Sequence, residues 1–135
     1  MRVISVQQPW AELIADRRRH IIIKNWTVQP GERFAIHASH VVNEAKSREF
    51  DYNPDDLPRN AILGIVEVKR CMPRLEARPS KFDYHSEKVK PKKLYAIVVR
   101  TLAKLRKPIP VNPPPIREAI WECELPVDWQ VIGIK

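Results

Sequence analysis

The residues that decide the fold are ISVQQPWAELI at positions 4–14 and, shortly after, RRRHIIIKNW at positions 17–26. The first run predicts a strand followed by a helix that begins near Pro9 and ends near Asp16, because proline costs a helix no hydrogen bond in its first turn. The second run is rich in β-branched residues and predicts a strand over 19–26. Basic and aromatic side chains gather around the connection, and such a surface suits a nucleic acid or a nucleobase.

Alternation along the second strand predicts which of its side chains are buried. Side chains two residues apart share a face, so Ile21 and Ile23 lie on one face and His20, Ile22, Lys24 and Trp26 on the other. We therefore expect Ile21 and Ile23 to enter the core.

The rest of the chain predicts a mainly β fold with short helices, of the α+β class, in a single domain over 1–135. Further strands or extended segments are expected over residues 33–38, 61–68, 94–101, 107–115, 116–122 and 129–134. Residues 41–50 are compatible with a helix that Ser39 could cap. The apolar run at 61–68 should be central in the sheet, and Gly64 within it indicates a bulge or a close backbone approach. These strands predict a small mixed sheet or a closed barrel, and closure would remove the exposed edges of the sheet.

The positive charge of the chain is concentrated in one segment. Net charge is +8, and residues 81–107 hold nine basic and two acidic side chains, which gives +7 for this segment alone. Such a field attracts polyanions, although a charge run of this kind also occurs as a solvated ribbon with no ligand. The charge therefore favours a nucleic-acid partner without establishing one.

Cysteine usage and hydropathy predict the location of the protein. Cys71 and Cys123 are far apart and lack C-x-x-C spacing, and no secretory leader precedes the first strand, which favours a reducing cytoplasmic environment. No apolar run approaches the roughly 18 residues that a membrane span needs. We expect a cytoplasmic protein with no membrane partner.

The order of several short motifs resembles ASCH-domain proteins. These motifs are QPWA at 8–11, the basic turn and strand to Trp26, GERFAIHAS at 31–39, and the apolar strand at 61–68. The resemblance runs from Ile4 to about Trp121. It implies a PUA-like fold, a small β-barrel flanked by helices, and an association with RNA, either as a binding module or as a hydrolase of N4-acetylcytidine or of RNA.

The four residues of the family's usual cleft motif are all replaced in this chain. That motif reads glycine, any residue, lysine, two residues, glutamate or threonine, one residue, arginine, and these positions hold Arg17, Arg19, Ile22 and Lys24 here. A guanidinium does not release its proton at working pH, and isoleucine neither donates nor accepts one. Glu67 remains on the strand where the similar hydrolase carries its glutamate. It could be a cleft-facing acid with a raised pKa, a solvent-facing residue, or the partner of Lys24 or Arg19, and we expect it to pair with a basic side chain if it is buried.

The candidate ligand-binding residues are polar, aromatic or adjacent to the basic turn: Gln8, Trp10, Arg17, Arg18, Arg19, Ile22, Lys24, Trp26, His37 and Ser39. The arginines and the lysine would hold phosphates, the apolar members would support a base, and the remainder would supply hydrogen bonds. The arginines could instead only complement a helix dipole, and Trp10 could simply be core.

These residues predict that the protein binds RNA or a nucleotide, with single-stranded or looped RNA favoured because its bases are free to stack. Two alternatives stay open. One is hydrolysis of RNA or of an acylated cytidine, with Lys24, His37 and Glu67 as candidate catalytic residues. The other is a protein-interaction adaptor with an apolar patch near residues 113–115. No histidine has zinc-like spacing, so we expect no metal and no cofactor.

Overall fold

The structure is a computed structural model that describes residues 1–73, 94–112 and 120–123. The described residues form six strands: β1 (Arg2–Gln8), β2 (Ile21–Lys24), β3 (Arg33–Val42), β4 (Ala61–Pro73), β5 (Tyr95–Pro110) and β6 (Ile120–Glu122). Two short helices, α1 (Trp10–Ala15) and α2 (Glu44–Glu49), and one 3-10 turn (Pro54–Asp56) complete the described elements. The predicted α+β class is confirmed. The strand expected over 129–134, much of the basic segment and the proline run at 113–115 lie outside the described residues.

The strands form one mixed sheet in the order β2-β5-β4-β3-β1-β6. The pair β1 and β3 is parallel, and every other neighbouring pair is antiparallel. Of the mixed sheet and the closed barrel that the sequence left open, the described residues form the mixed sheet, because β2 and β6 stay at the two ends of this order and do not pair with each other. β2 has four residues, and the described part of β6 has three.

The sheet nevertheless curls so that its edge strand β2 approaches β1. Lys24 on β2 donates from Nζ to the backbone carbonyl of Ser5 on β1, at 2.9 Å. The described part of β6 pairs with residues 2–4 of β1, so Ser5 is the next residue along that strand. The sheet is therefore barrel-like with an opening between β2 and β1, which we call the seam.

Two apolar clusters cover the two faces of the sheet. The first contains Ile4, Val6, Phe34, Ile36 and the buried side of α1. The second contains residues that alternate with these along the strands, including Val3, Ala35 and Ile65, together with Trp121. Because successive side chains of a strand point to opposite faces, the two clusters lie on opposite sides of the sheet.

The prediction of which β2 residues are buried is wrong. Ile22 has 4% of its surface exposed and belongs to the first cluster, whereas Ile21 and Ile23 are only half-buried. The alternation itself is as expected, but α1 covers the face that carries Ile22. Alternation gives the spacing of buried residues and does not identify the face that a helix will cover.

Local hydrogen bonds explain where α1 ends and where α2 begins. After α1, Arg17 has φ of 61°, and the amides of Arg17 and Arg18 bond to the carbonyls of Ile14 and Leu13, which is a Schellman ending. At α2 the predicted cap by Ser39 is wrong: Asn43 caps the helix by accepting from the amide of Lys46. The reason is that β3 continues through Ser39 to Val42.

The expectation for Gly64 is confirmed. A Cβ at this position would lie 2.5 Å from the carbonyl oxygen of Ala103, closer than side-chain atoms approach backbone. The register between β4 and β5 also shifts between Ile62 and Gly64. The missing side chain therefore lets β5 cross tightly over β4.

Candidate nucleic-acid interface

A groove lies along the seam, where β2 faces β1 and α1. All four residues of β2 line it, together with Arg19, Val6 of β1, and Trp10 and Ile14 of α1. Its empty volume is about 280 Å³ when the open mouth is included, but the space inside that admits water is only about 20 Å³. That inner space holds about one water molecule. A ligand the size of a base would therefore lie across the mouth.

Lys24 is the most unusual charge in the groove. Its ammonium is largely shielded from water, and this burial lowers the pKa of the side chain. The acceptor that the structure gives it is the Ser5 carbonyl, and among the described residues no carboxylate forms an ion pair with it. A shielded charge is costly unless an opposite charge compensates it. The site is thus suited to an anion.

Arg19 supplies a second positive charge to the same groove. The side chain is half-buried, and burial lowers the pKa of its guanidinium. Arginine nevertheless keeps its charge at any working pH and can bind phosphate through two parallel hydrogen bonds. Arg19 and Lys24 together make one wall of the groove cationic, while Val6, Trp10 and Ile14 make the rest of it apolar.

Four of the ten predicted ligand-binding residues therefore meet in the groove: Trp10, Arg19, Ile22 and Lys24. Trp10 and Ile22 are also buried in the first cluster, so each one is both core and groove wall. Trp26 is partly buried and packs against the same cluster. Val6 and Ile14 were not predicted to bind a ligand, because apolar residues with this spacing also occur in an ordinary core.

The other two arginines of the basic turn point to different surroundings. Arg18 lies over the rings of Tyr52, at 5.1 Å, and Phe50, at 5.9 Å, and donates to the Phe50 carbonyl. Arg17 is exposed at the end of α1. The structure separates Arg19 from its two neighbours because the Schellman turn reverses the chain between them and β2.

Gln8 and Ser39 make local hydrogen bonds. The Gln8 side chain is fully buried; it donates to the Pro58 carbonyl and accepts from the Glu12 amide. Ser39 accepts from the Val41 amide. These contacts hold the start of α1 and the end of β3 in place.

His37 belongs to the opposite face of the sheet. Its Nε2 is 2.8 Å from the Val111 carbonyl, and its Nδ1 is 3.0 Å from Ser5 Oγ. Because a carbonyl only accepts, Nε2 carries the proton and Nδ1 accepts from Ser5. Trp121 donates to the same hydroxyl and packs edge-on against the imidazole. Burial lowers the pKa of His37, and the Val111 bond partly opposes that shift.

Glu67 also lies away from Lys24. Its carboxylate pairs with Arg33, at 3.4 Å, and with Arg100, at 3.1 Å, so the suggested partners Lys24 and Arg19 are wrong. Both arginines are mostly exposed, and ion pairs of this kind contribute little stability. The three candidate catalytic residues do not converge in the described structure, and their catalytic role stays a prediction.

The sequence interpretation missed a charged cluster at the far side of α1, which we call the lysine clamp. Lys104 of β5 pairs with Glu12, at 3.1 Å, and with Asp16, and the Tyr52 hydroxyl donates to Asp16 at 2.6 Å. Burial alone would raise the pKa of Asp16, but the hydrogen bonds from Lys104 and Tyr52 outweigh it and lower that pKa. The spacing of Glu12 and Asp16, four residues apart, was the available signal.

Two possible features are not found in the part of the chain that the structure describes. No group of three or more His, Cys, Asp or Glu side chains there could hold a metal ion. Neither described helix has the length and apolar character that a membrane-crossing helix needs.

Comparison with known proteins identifies the fold. The models of known protein families and the curated protein sequences give no match to this chain. The crystal structure of ASCH from Zymomonas mobilis matches over 96% of this chain and 90% of that chain, with a TM-score of 0.60 and 16% identity. Two mutants of the same protein match over 96% of this chain and 90% and 92% of theirs, with TM-scores of 0.58 and 0.60 and identities of 17% and 14%. The chain has the fold of the ASCH domain.

Proposed function

We propose that this protein is an ASCH-type module that binds RNA, or a nucleotide-sized part of it, in the groove along the seam. The observation that carries the proposal is the Lys24 ammonium, which is shielded from water and bonds a neutral carbonyl where a carboxylate would be expected. A phosphate at the mouth of the groove would supply the missing negative charge. Arg19 lines the same groove, where it would bind the same phosphate or the next one.

The remaining groove surface suits the rest of a nucleotide. Val6 and Ile14 offer apolar surface next to the two cations, and Trp26 lies partly exposed close to Lys24 in the chain. A base combines a flat apolar face with polar edges, so it can cover such a surface while its phosphate contacts the cations. The net charge of +8 favours the approach of any polyanion.

Binding of a short single-stranded RNA across a salt series tests the proposal. We expect Lys24→Met to weaken binding about tenfold, a loss of about 1.4 kcal/mol, and to reduce the slope of log affinity against log salt by about 0.7, the value for one phosphate contact on a single strand. Lys107→Met is the matched control, since Lys107 is exposed at the other end of β5. Equal losses in the two variants would mean that binding reflects net charge alone and would refute a specific groove.

A second candidate is hydrolysis of an acylated nucleoside, because the lowered pKa of Lys24 brings its amine closer to the neutral form that acts as a nucleophile or base. Glu67 and His37 are engaged elsewhere, so this mechanism would have to work without them. Incubation with N4-acetylcytidine should yield cytidine in wild type and not in Lys24→Met. Absence of turnover in wild type would exclude this amidohydrolase function.

The third alternative, an adaptor with an exposed apolar patch, has no support among the described residues. Their only large exposed apolar side chains are Met1 and Val41. The proline run that could border such a patch lies outside the described residues.

A further inference from the structure

One edge of β2 carries backbone groups that no described strand pairs. Within the described residues, β2 pairs with β5 alone. The Val99 amide donates to the His20 carbonyl at 2.8 Å, so these two residues form a hydrogen-bonded pair. Along an antiparallel ladder, hydrogen-bonded pairs alternate with pairs whose backbone groups point away from each other. Ile22 and Lys24 therefore direct their backbone groups to β5. Ile21 and Ile23 direct theirs away from β5, toward the seam.

These outward backbone groups border the same groove as the two cations. Ile21, Ile23, Arg19 and Lys24 all line it, and Lys24 spans the seam to Ser5. On one extended residue the N–H and C=O point the same way, so Ile21 and Ile23 each present a donor beside an acceptor. The seam thus combines two donor-acceptor pairs, apolar walls and positive charge.

We infer that the backbone of Ile21 and Ile23 reads the Watson–Crick edge of one unpaired base while Arg19 and Lys24 hold the phosphate of that nucleotide. The inference rests on the proposed function and specifies its ligand. Each nucleobase carries a donor and an acceptor side by side on this edge, and base pairing in a duplex occupies them. The site therefore selects unpaired nucleotides over paired ones and discriminates weakly among base types.

A nucleotide fits this edge better than a peptide strand does. Peptides that add to a sheet edge gain affinity from a run of main-chain hydrogen bonds, but β2 has four residues, of which only Ile21 and Ile23 face outward. The charge of the groove also requires an anion close to the edge. A phosphate bonded to the same small ligand meets that requirement.

Amide hydrogen exchange, measured by NMR with a single-stranded oligouridylate, tests the inference. At a probe concentration about ten times its dissociation constant, the amides of Ile21 and Ile23 should exchange about tenfold more slowly. The Ile22 amide, already bonded to β5, is the internal control and should not change. The same oligouridylate paired with oligoadenylate should give no protection at Ile21 or Ile23.

Two variants at Ile23 distinguish the contribution of its backbone N–H to binding from that of its side chain. Ile23→Pro removes the outward N–H and no ladder bond, and proline is tolerated on such an edge; it should weaken oligouridylate binding about tenfold, which corresponds to loss of one hydrogen bond to a buried polar group. Ile23→Ala keeps the N–H and should bind within about threefold of wild type. Equal losses in both variants would overturn the inference.

The outcomes distinguish this inference from the proposed function. If oligouridylate binds and depends on Lys24 while the Ile21 and Ile23 amides exchange as in the free protein, the proposed function stands and the inference fails. If oligouridylate does not bind, both fail. If an acidic peptide protects these amides and oligouridylate does not, the edge is a peptide site and the inference is wrong.

Discussion

Two lysines flank α1, and their surroundings are opposite. Lys104 lies between the carboxylates of Glu12 and Asp16 in the lysine clamp, and these hydrogen bonds raise its pKa in spite of its burial. Lys24 bonds the Ser5 carbonyl, and burial lowers its pKa. A compensated charge contributes to folding, whereas an uncompensated one lowers stability until a ligand compensates it. Lys104 therefore contributes to the stability of the fold, whereas Lys24 is the residue that the proposed function assigns to binding.

The largest expected effect comes from removing the compensated lysine. Lys104→Met keeps the aliphatic stem but leaves two largely buried carboxylates without their cation, so the free energy of unfolding should fall by about 3 kcal/mol. Urea denaturation measures this change. Lys107→Met, at an exposed position on the same strand, should stay within about 0.5 kcal/mol of wild type. Similar results for both variants would show that the clamp does not stabilise the fold.

The lysine clamp should also limit stability at both extremes of pH. The folded pKa of Asp16 lies below 3.8, so its contribution is present above about that pH and is lost as the pH falls through the lowered value. The folded pKa of Lys104 lies above 10.5, so its contribution is complete below that pH and is lost as the pH rises through the raised value. Urea midpoints measured across pH should show these losses, and Lys104→Met should reduce both of them.

The uncompensated lysine should behave in the opposite way. Lys24→Met replaces a shielded ammonium with an apolar side chain, so stability at neutral pH should be unchanged or higher by about 1 kcal/mol, while RNA binding weakens. Because the folded pKa of Lys24 lies below 10.5, the stability of wild type relative to this variant should rise as the pH increases from the lowered value toward 10.5. A clear loss of stability in Lys24→Met would contradict the comparison.

The sequence predicted most of the described elements and one of the two contrasting lysines, Lys24. Strong local patterns predicted β1, α1, β2 and the central strand, and Gly64 predicted the close approach of β5. The face of β2 that is buried, and the partners of Glu67, depend on which elements pack together, and alternation alone does not determine this. The clamp was missed because Lys104 is far in sequence from Glu12 and Asp16.

The seam itself was not predictable for a similar reason. Sequence patterns left a mixed sheet and a closed barrel both open, because whether two edge strands meet depends on their lengths and on the curl of the whole sheet. The open edge of β2 is a consequence of that geometry. Among the described strands, none pairs with the Ile21 and Ile23 backbone on this edge.

The smallest expected effect concerns Arg17, which follows Asp16 of the lysine clamp and precedes Arg19 of the groove in the sequence. Its φ of 61° is in the left-handed region, where glycine is favoured at the end of a helix, so Arg17→Gly should raise the free energy of unfolding by about 0.5 kcal/mol. Arg17→Lys keeps the charge and the strain and should match wild type in stability. If Arg17 contacts phosphate, as the sequence predicts, RNA binding should fall in the glycine variant and not in the lysine variant. If both variants bind as wild type does, phosphate binding in this turn belongs to Arg19, the arginine that lines the groove.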